Sequence, residues 1–128
     1  MESERYKKGI ERLKEMGDNS PICCSVSDIA PDLEKYITEF AFGDVHSRPG
    51  LGKREREIAI VAALTALGHA PLVLKAHINM ALNVGCTREE VLEVIIQMAV
   101  YAGFPAAVNG VFVAKEVFKQ RDEEGRQN

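Results

Sequence analysis

Apolar residues recur at helical spacing along most of the chain, with polar residues between them. From Glu4 to Met16, Tyr6, Ile10 and Leu13 share one face, Lys and Glu cover the other, and Gly17 is the expected stop. Pro31 suits a first helical turn, and Leu33, Tyr36, Ile37 and Phe40 follow at i, i+3, i+4 and i+7 up to Gly43. A third helix is predicted from about Lys53 to Leu67. Its first turn is densely charged, and the ten residues after Glu57 carry no charge and are rich in alanine. Alanine favours helix over strand, and a helix apolar all round must be buried on most sides. Pro71 and Gly85 bracket a fourth helix, with Leu74, His77, Ile78, Ala81 and Leu82 on one face and Lys75 and Asn79 opposite. Thr87 and Glu90 have the spacing of a capping box. They head a fifth helix with an apolar stripe of Val91, Ile95, Met98 and Ala102 and a polar one of Glu93, Gln97 and Tyr101. Gly103 closes it. Pro105 opens a last helix with Val108, Val111, Phe112 and Phe118 toward the core, and the polar tail from Arg121 is expected to fray.

No strand alternation competes with these patterns. The expected fold is all-α: a single domain over residues 1–128, a bundle of about six helices with a helix-hairpin core and short connections. The last four helices carry more apolar surface than so small a bundle covers, so burial against copies of the same chain, a homo-oligomer, is expected.

Composition narrows the function classes. A length of 128 residues makes one domain, and 46% hydrophobic with 27% charged residues suits a soluble protein with a core. Sixteen Lys and Arg against nineteen Asp and Glu leave a net charge of −3, which argues against nucleic-acid binding by general electrostatics. The longest uncharged apolar run, Ile58 to Leu67, is about half of the roughly 20 residues a membrane span needs. The charged start, Met1-Glu2-Ser3-Glu4-Arg5, does not read as a signal peptide. Three cysteines, Cys23, Cys24 and Cys86, form neither a CxxC nor a disulfide framework and suit a cytoplasmic location. Three histidines without close Cys, His or carboxylate spacing give no zinc signature, so no metal is expected.

Chemistry is available at a few positions. His77 sits mid-helix on an apolar face, where it is either a hydrogen-bonded core residue or a proton donor and acceptor near neutral pH. Glu57 ends the charged run and precedes the buried one, so it is the carboxylate best placed to face a pocket. Beside a histidine it would orient the ring and raise its pKa. The segment from Phe42 to Gly52 holds three glycines and a proline and reads as a loop carrying Asp44, His46 and Arg48. Arg48 is there either solvated or a fork for a substrate carboxylate. Tyr101 lines a groove with Glu93 and Gln97 or serves as an interface residue. Asn109 interrupts the apolar last helix. Cys86, with no activating cation in sight, reads as an inert thiol, and His69 as exposed.

Together these segments resemble the carboxymuconolactone decarboxylase family. The matching stretches are Phe40 to Val45 with Arg48-Pro49-Gly50-Leu51, Arg56-Glu57 leading into Ala62-Ala63-Leu64, His77, Ala81-Leu82-Asn83 and Gly85 to Glu90. The most specific is Val100-Tyr101-Ala102-Gly103-Phe104-Pro105-Ala106-Ala107, and the likeness covers about residues 28 to 118. It implies an all-helical homohexamer. Of the family's two branches, the one resembling alkylhydroperoxidase uses a CxxC between a Glu and a His matching Glu57 and His77. The corresponding stretch here, Gly68-His69-Ala70-Pro71-Leu72, has no cysteine. The chain therefore looks like the decarboxylase branch, although His46 stands where an aromatic residue is common and Gly52 where a capping Asp or Ser is common.

That branch implies conversion of 4-carboxymuconolactone to the 3-oxoadipate enol-lactone and CO2 in protocatechuate catabolism. The ring's own unsaturated lactone accepts the electrons, so no cofactor is required. His77 would be the acid, Glu57 its positioning partner, and Arg48, with His46 and Tyr101, would bind substrate. Two other readings stay open: a thiol-dependent peroxidase built on Cys86 with Cys23 or Cys24, and a non-catalytic member that binds a ligand.

Overall fold

A computed structural model describes residues 2–17, 26–126 and 128. Cys23 and Cys24 lie outside the described residues. Every regular element among the described residues is helical, and the chain divides into two units, Met1–Lys53 and Arg54–Asn128.

In the first unit, α1 (Glu4–Glu15) starts at Ser3, whose hydroxyl accepts from the Tyr6 N–H at 3.0 Å. A short α2 (Pro31–Tyr36) runs without a break into a π-helix, Ile37–His46. The sequence reading ended this helix at Gly43. The structure carries it three residues further, because this glycine is a packing residue and not a stop. A Cβ on Gly43 would lie 2.4 Å from the Arg5 carbonyl oxygen, and one on Gly9 of α1 only 1.9 Å from that of Thr38. The two glycines let α1 and the π-helix meet backbone against backbone.

That approach decides which face is buried. Thr38, Glu39, Phe42, Gly43 and His46 turn inward, while Leu33, Tyr36 and Phe40, expected in the core, are exposed. Thr38 and Glu39 are hydrogen-bonded: Thr38 Oγ1 and Tyr6 OH both donate to Glu34 Oε1 at 2.9 Å, and Ser3 Oγ donates to Glu39. On the surface of this unit Arg5 forks onto Asp44, which holds the Asp44 carboxyl below the usual carboxylate range.

The second unit contains α3 (Lys53–Leu67), α4 (Pro71–Asn83), α5 (Arg88–Tyr101) and α6 (Phe104–Glu123). The capping box forms as expected, with the Thr87 N–H on Glu90 at 2.9 Å and the Glu90 N–H on Thr87 at 3.0 Å. Leu74, Ile78, Ala81 and Leu82 of α4 and Val91 and Ile95 of α5 are buried together, as their spacing predicts.

Three expectations fail here. The inward face of α6 is Ala107, Gly110, Ala114, Val117 and Arg121, and Val108, Val111 and Phe112 are exposed. A Cβ on Gly110 would lie 2.9 Å from Ile95 Cγ2, so the small residues mark the close crossing and the large ones are turned away. The helix also does not fray at Arg121. This residue is 2% exposed, and its guanidinium donates to Asn79 at 3.0 Å, to Asn83 at 3.2 Å and to the Asn128 carbonyl. The α3 helix, read as buried on most sides, is fully buried only along Glu57, Val61 and Thr65.

Candidate active site

Glu57 is the fifth residue of α3, where the charged run gives way to the apolar one. It begins the inward stripe that continues at i+4 and i+8 with Val61 and Thr65. Gly68, with φ of 74°, and Pro71 then turn the chain into α4. There His77 shares the inward stripe of Leu74, Ile78 and Ala81. The stripes meet at one polar contact: His77 Nδ1 lies 2.7 Å from Glu57 Oε1.

The Glu57 side chain is 0% exposed and that of His77 is 12% exposed. Burying a carboxylate is costly unless it is hydrogen-bonded, and the imidazole supplies such a bond. With Glu57 ionised the carboxylate only accepts, and in that state Nδ1 carries the proton and donates it. In that state the bond orients the ring and selects the tautomer with the proton on Nδ1.

The other expected residues fall elsewhere. Arg48 is exposed on the turn that follows the π-helix in the first unit. His46, read as part of an open loop, is buried in that unit because the helix runs on past Gly43. Its ring packs on Phe42 at 5.3 Å between centroids, and its carbonyl accepts from Arg12 at 2.7 and 3.1 Å. Tyr101 ends α5 and is 78% exposed. His69 is exposed, as expected. Cys86 is buried, and burial pushes its thiol up, away from the reactive thiolate.

Two hollows open on the second unit. One, of about 350 Å³, lies at the α3–α4 turn and is lined by Thr65, Leu74, Asn109 and Val113 among others. The other, of about 300 Å³, is an apolar groove of α5 and α6 bordered by Ile96, Phe104, Val108 and Phe112. Neither is lined by His77 or Glu57. The sequence reading did not foresee the first hollow. Its only sequence signal is Thr65 inside an apolar run and Asn109 inside an apolar helix. Among the described residues no cluster of three or more His, Cys, Asp or Glu is arranged to hold a metal ion, and no helix is long and apolar enough to cross a membrane.

Comparison with known proteins places this pair in context. Residues 31–116 match the carboxymuconolactone decarboxylase family. A 4-carboxymuconolactone decarboxylase of Acinetobacter baylyi is 36% identical over 121 residues, which cover 92% of this chain and 90% of that protein. An uncharacterised 15.0 kDa protein of Paracoccus denitrificans is 30% identical, over 78% of this chain and 75% of its own length. A nitrosuccinic acid decarboxylase of Metarhizium robertsii is also 30% identical, over 72% of this chain and 64% of its own. The chain belongs to the carboxymuconolactone decarboxylase family, and its kinship is with carboxy-lyases.

Proposed function

We propose that the chain removes CO2 from a small carboxylic acid that carries its own electron sink. The foremost substrate is 4-carboxymuconolactone, and the product is the 3-oxoadipate enol-lactone of protocatechuate catabolism. The observation that carries this reading is the buried Glu57–His77 pair in a chain of this family.

In 4-carboxymuconolactone the departing carboxylate sits on a ring carbon joined through a double bond to the lactone carbonyl. When the C–CO2 bond breaks, its electron pair runs through that double bond onto the carbonyl oxygen. A proton then adds to the carbon next to the carbonyl, and the enol-lactone results. In nitrosuccinic acid a carboxylate likewise sits on a carbon whose electron pair is accepted within the molecule, there by the nitro group. The reaction asks the protein for an acid, a donor to the oxygen that gains charge, and a place for the carboxylates.

His77 Nε2 supplies the proton to carbon. Glu57 holds the ring and balances the charge of the imidazolium before transfer. Arg48 keeps the role of a fork for a substrate carboxylate on residue type alone. Tyr101 and His46 have no contact that assigns them a part. The thiol reading gains no support, because the one described cysteine, Cys86, is buried with its thiol pushed up. Exposed apolar side chains on α5 and α6 support a homo-oligomer, with a hexamer as the expected size, working in the cytoplasm.

Mixing the purified protein with 4-carboxymuconolactone, with no metal added, tests the reading. CO2 release matching the loss of lactone absorbance supports it. No release above the uncatalysed rate rejects this substrate.

A further inference from the structure

The decarboxylation leaves one requirement unassigned: a donor to the lactone carbonyl oxygen, where negative charge builds as CO2 departs. We propose that the Asn109 side-chain amide is that donor and that the hollow at the α3–α4 turn receives the lactone ring. This rests on the function proposed above.

The lining of the hollow carries the inference. Among the described residues Thr65 and Asn109 are the polar side chains that line it, and no charged side chain borders it. Thr65 Oγ1 donates its single proton to the Val61 carbonyl at 2.7 Å. The Asn109 amide is therefore the side-chain N–H donor left to a ligand. A neutral amide suits an oxygen that is uncharged in the substrate and charged in the transition state. An apolar wall suits the face of a ring and penalises a carboxylate, so the carbonyl end enters and the carboxylates stay at the mouth. The volume of about 350 Å³ falls at the small end of the roughly 300–1,000 Å³ typical of ligand pockets.

The position fits the proposed acid. Leu74 lines the hollow, and His77 follows it on the same stripe of α4, about 4.5 Å further along the axis. The Cα–Cβ bond of a helical residue tilts toward the helix N-terminus, the end of α4 at which the hollow lies, and the His77 ring itself is held by Glu57. The carbon to be protonated is one bond from the carbonyl carbon, so the assignment requires a ring held at its oxygen by Asn109 to present that carbon to His77. Gly110 sets the rim: its missing Cβ lets α6 lie against Thr65, and Asn109 beside it borders the hollow.

Three variants and one spectrum test this. Asn109→Ala is expected to lower kcat on 4-carboxymuconolactone by about 10²–10³, the usual loss for one oxyanion donor, with KM changed less than about threefold. Asn109→Asp, similar in shape but without the N–H donors, is expected to fall at least as far. Asn109→Gln, which keeps the amide, should recover part of the rate. An active wild type with Asn109→Ala or Asn109→Asp within about twofold of it in kcat overturns the assignment. The side-chain amide resonance of Asn109, recorded with 2(5H)-furanone as the bare lactone ring, reads the contact without turnover. A shift is expected, and an unmoved resonance overturns the assignment. An inactive wild type whose resonance shifts removes the proposed reaction and supports the lactone site.

Discussion

Glu57 has no exposure to water and meets His77 across 2.7 Å. Two substitutions separate charge from geometry here. Glu57→Gln keeps an oxygen that accepts from Nδ1 but removes the charge that favours the imidazolium. It is expected to lower kcat about 10-fold or more while the fold holds, as near-unchanged circular dichroism would show. His77→Ala leaves the buried carboxylate short of a donor and is expected to cost about 1–3 kcal/mol in urea unfolding, beyond its loss of activity. At Cys86, burial pushes the thiol up, so iodoacetamide at neutral pH should label it far more slowly in the native protein than in urea. Rapid native labelling with loss of activity would revive thiol chemistry. Glu57 was legible in the sequence because it ends the charged run beside the apolar one, and His77 because it stands on an apolar helix face; their pairing rested on the family likeness. His46 was misread because a glycine was taken for a helix stop when it was a contact.

At the scale of elements, small residues decide the packing. Gly9, Gly43 and Gly110 each stand where another backbone or side chain would collide with a Cβ. Gly9→Ala should destabilise the first unit by about 1–3 kcal/mol, seen as a lower Tm, because the Thr38 carbonyl has to move. Gly50→Ala, with nothing within 4 Å, is the control expected to leave Tm unchanged. Equal effects from both substitutions would refute this packing. The Thr87–Glu90 box heads α5, and the Thr87 backbone N–H holds the Glu90 carboxyl below its ordinary 4.5. Its folded pKa is therefore depressed. The contribution is complete above that ordinary value and is lost as pH falls through the lower one. Helix number, order and caps were readable from periodicity and from Pro and Gly punctuation. The buried faces of the π-helix and of α6 were not, because large apolar side chains were taken as the core when the close crossings are made by glycine, joined in α6 by alanine.

At the scale of the whole molecule, Ile96, Val100, Phe104, Val108 and Phe112 leave large apolar side chains in water. Phe104 alone is 76% exposed. A stable monomer rarely carries such a surface, so sedimentation equilibrium should report a homo-oligomer, and Phe104→Glu should shift it toward smaller species. A wild-type monomer at micromolar concentration would contradict this. Excess apolar surface was legible in the sequence, but which side chains carry it became clear only once the close crossing of α6 was known. Activity tests the central assignment most directly: initial rates of CO2 release from 4-carboxymuconolactone, wild type beside His77→Gln. The glutamine retains a donor for Glu57 and so the fold, but has no ring nitrogen to carry the transferred proton. With His77 as the acid, the wild type turns over and His77→Gln falls by about 10²–10⁴ at equal thermal stability. Equal rates in the two proteins would contradict it.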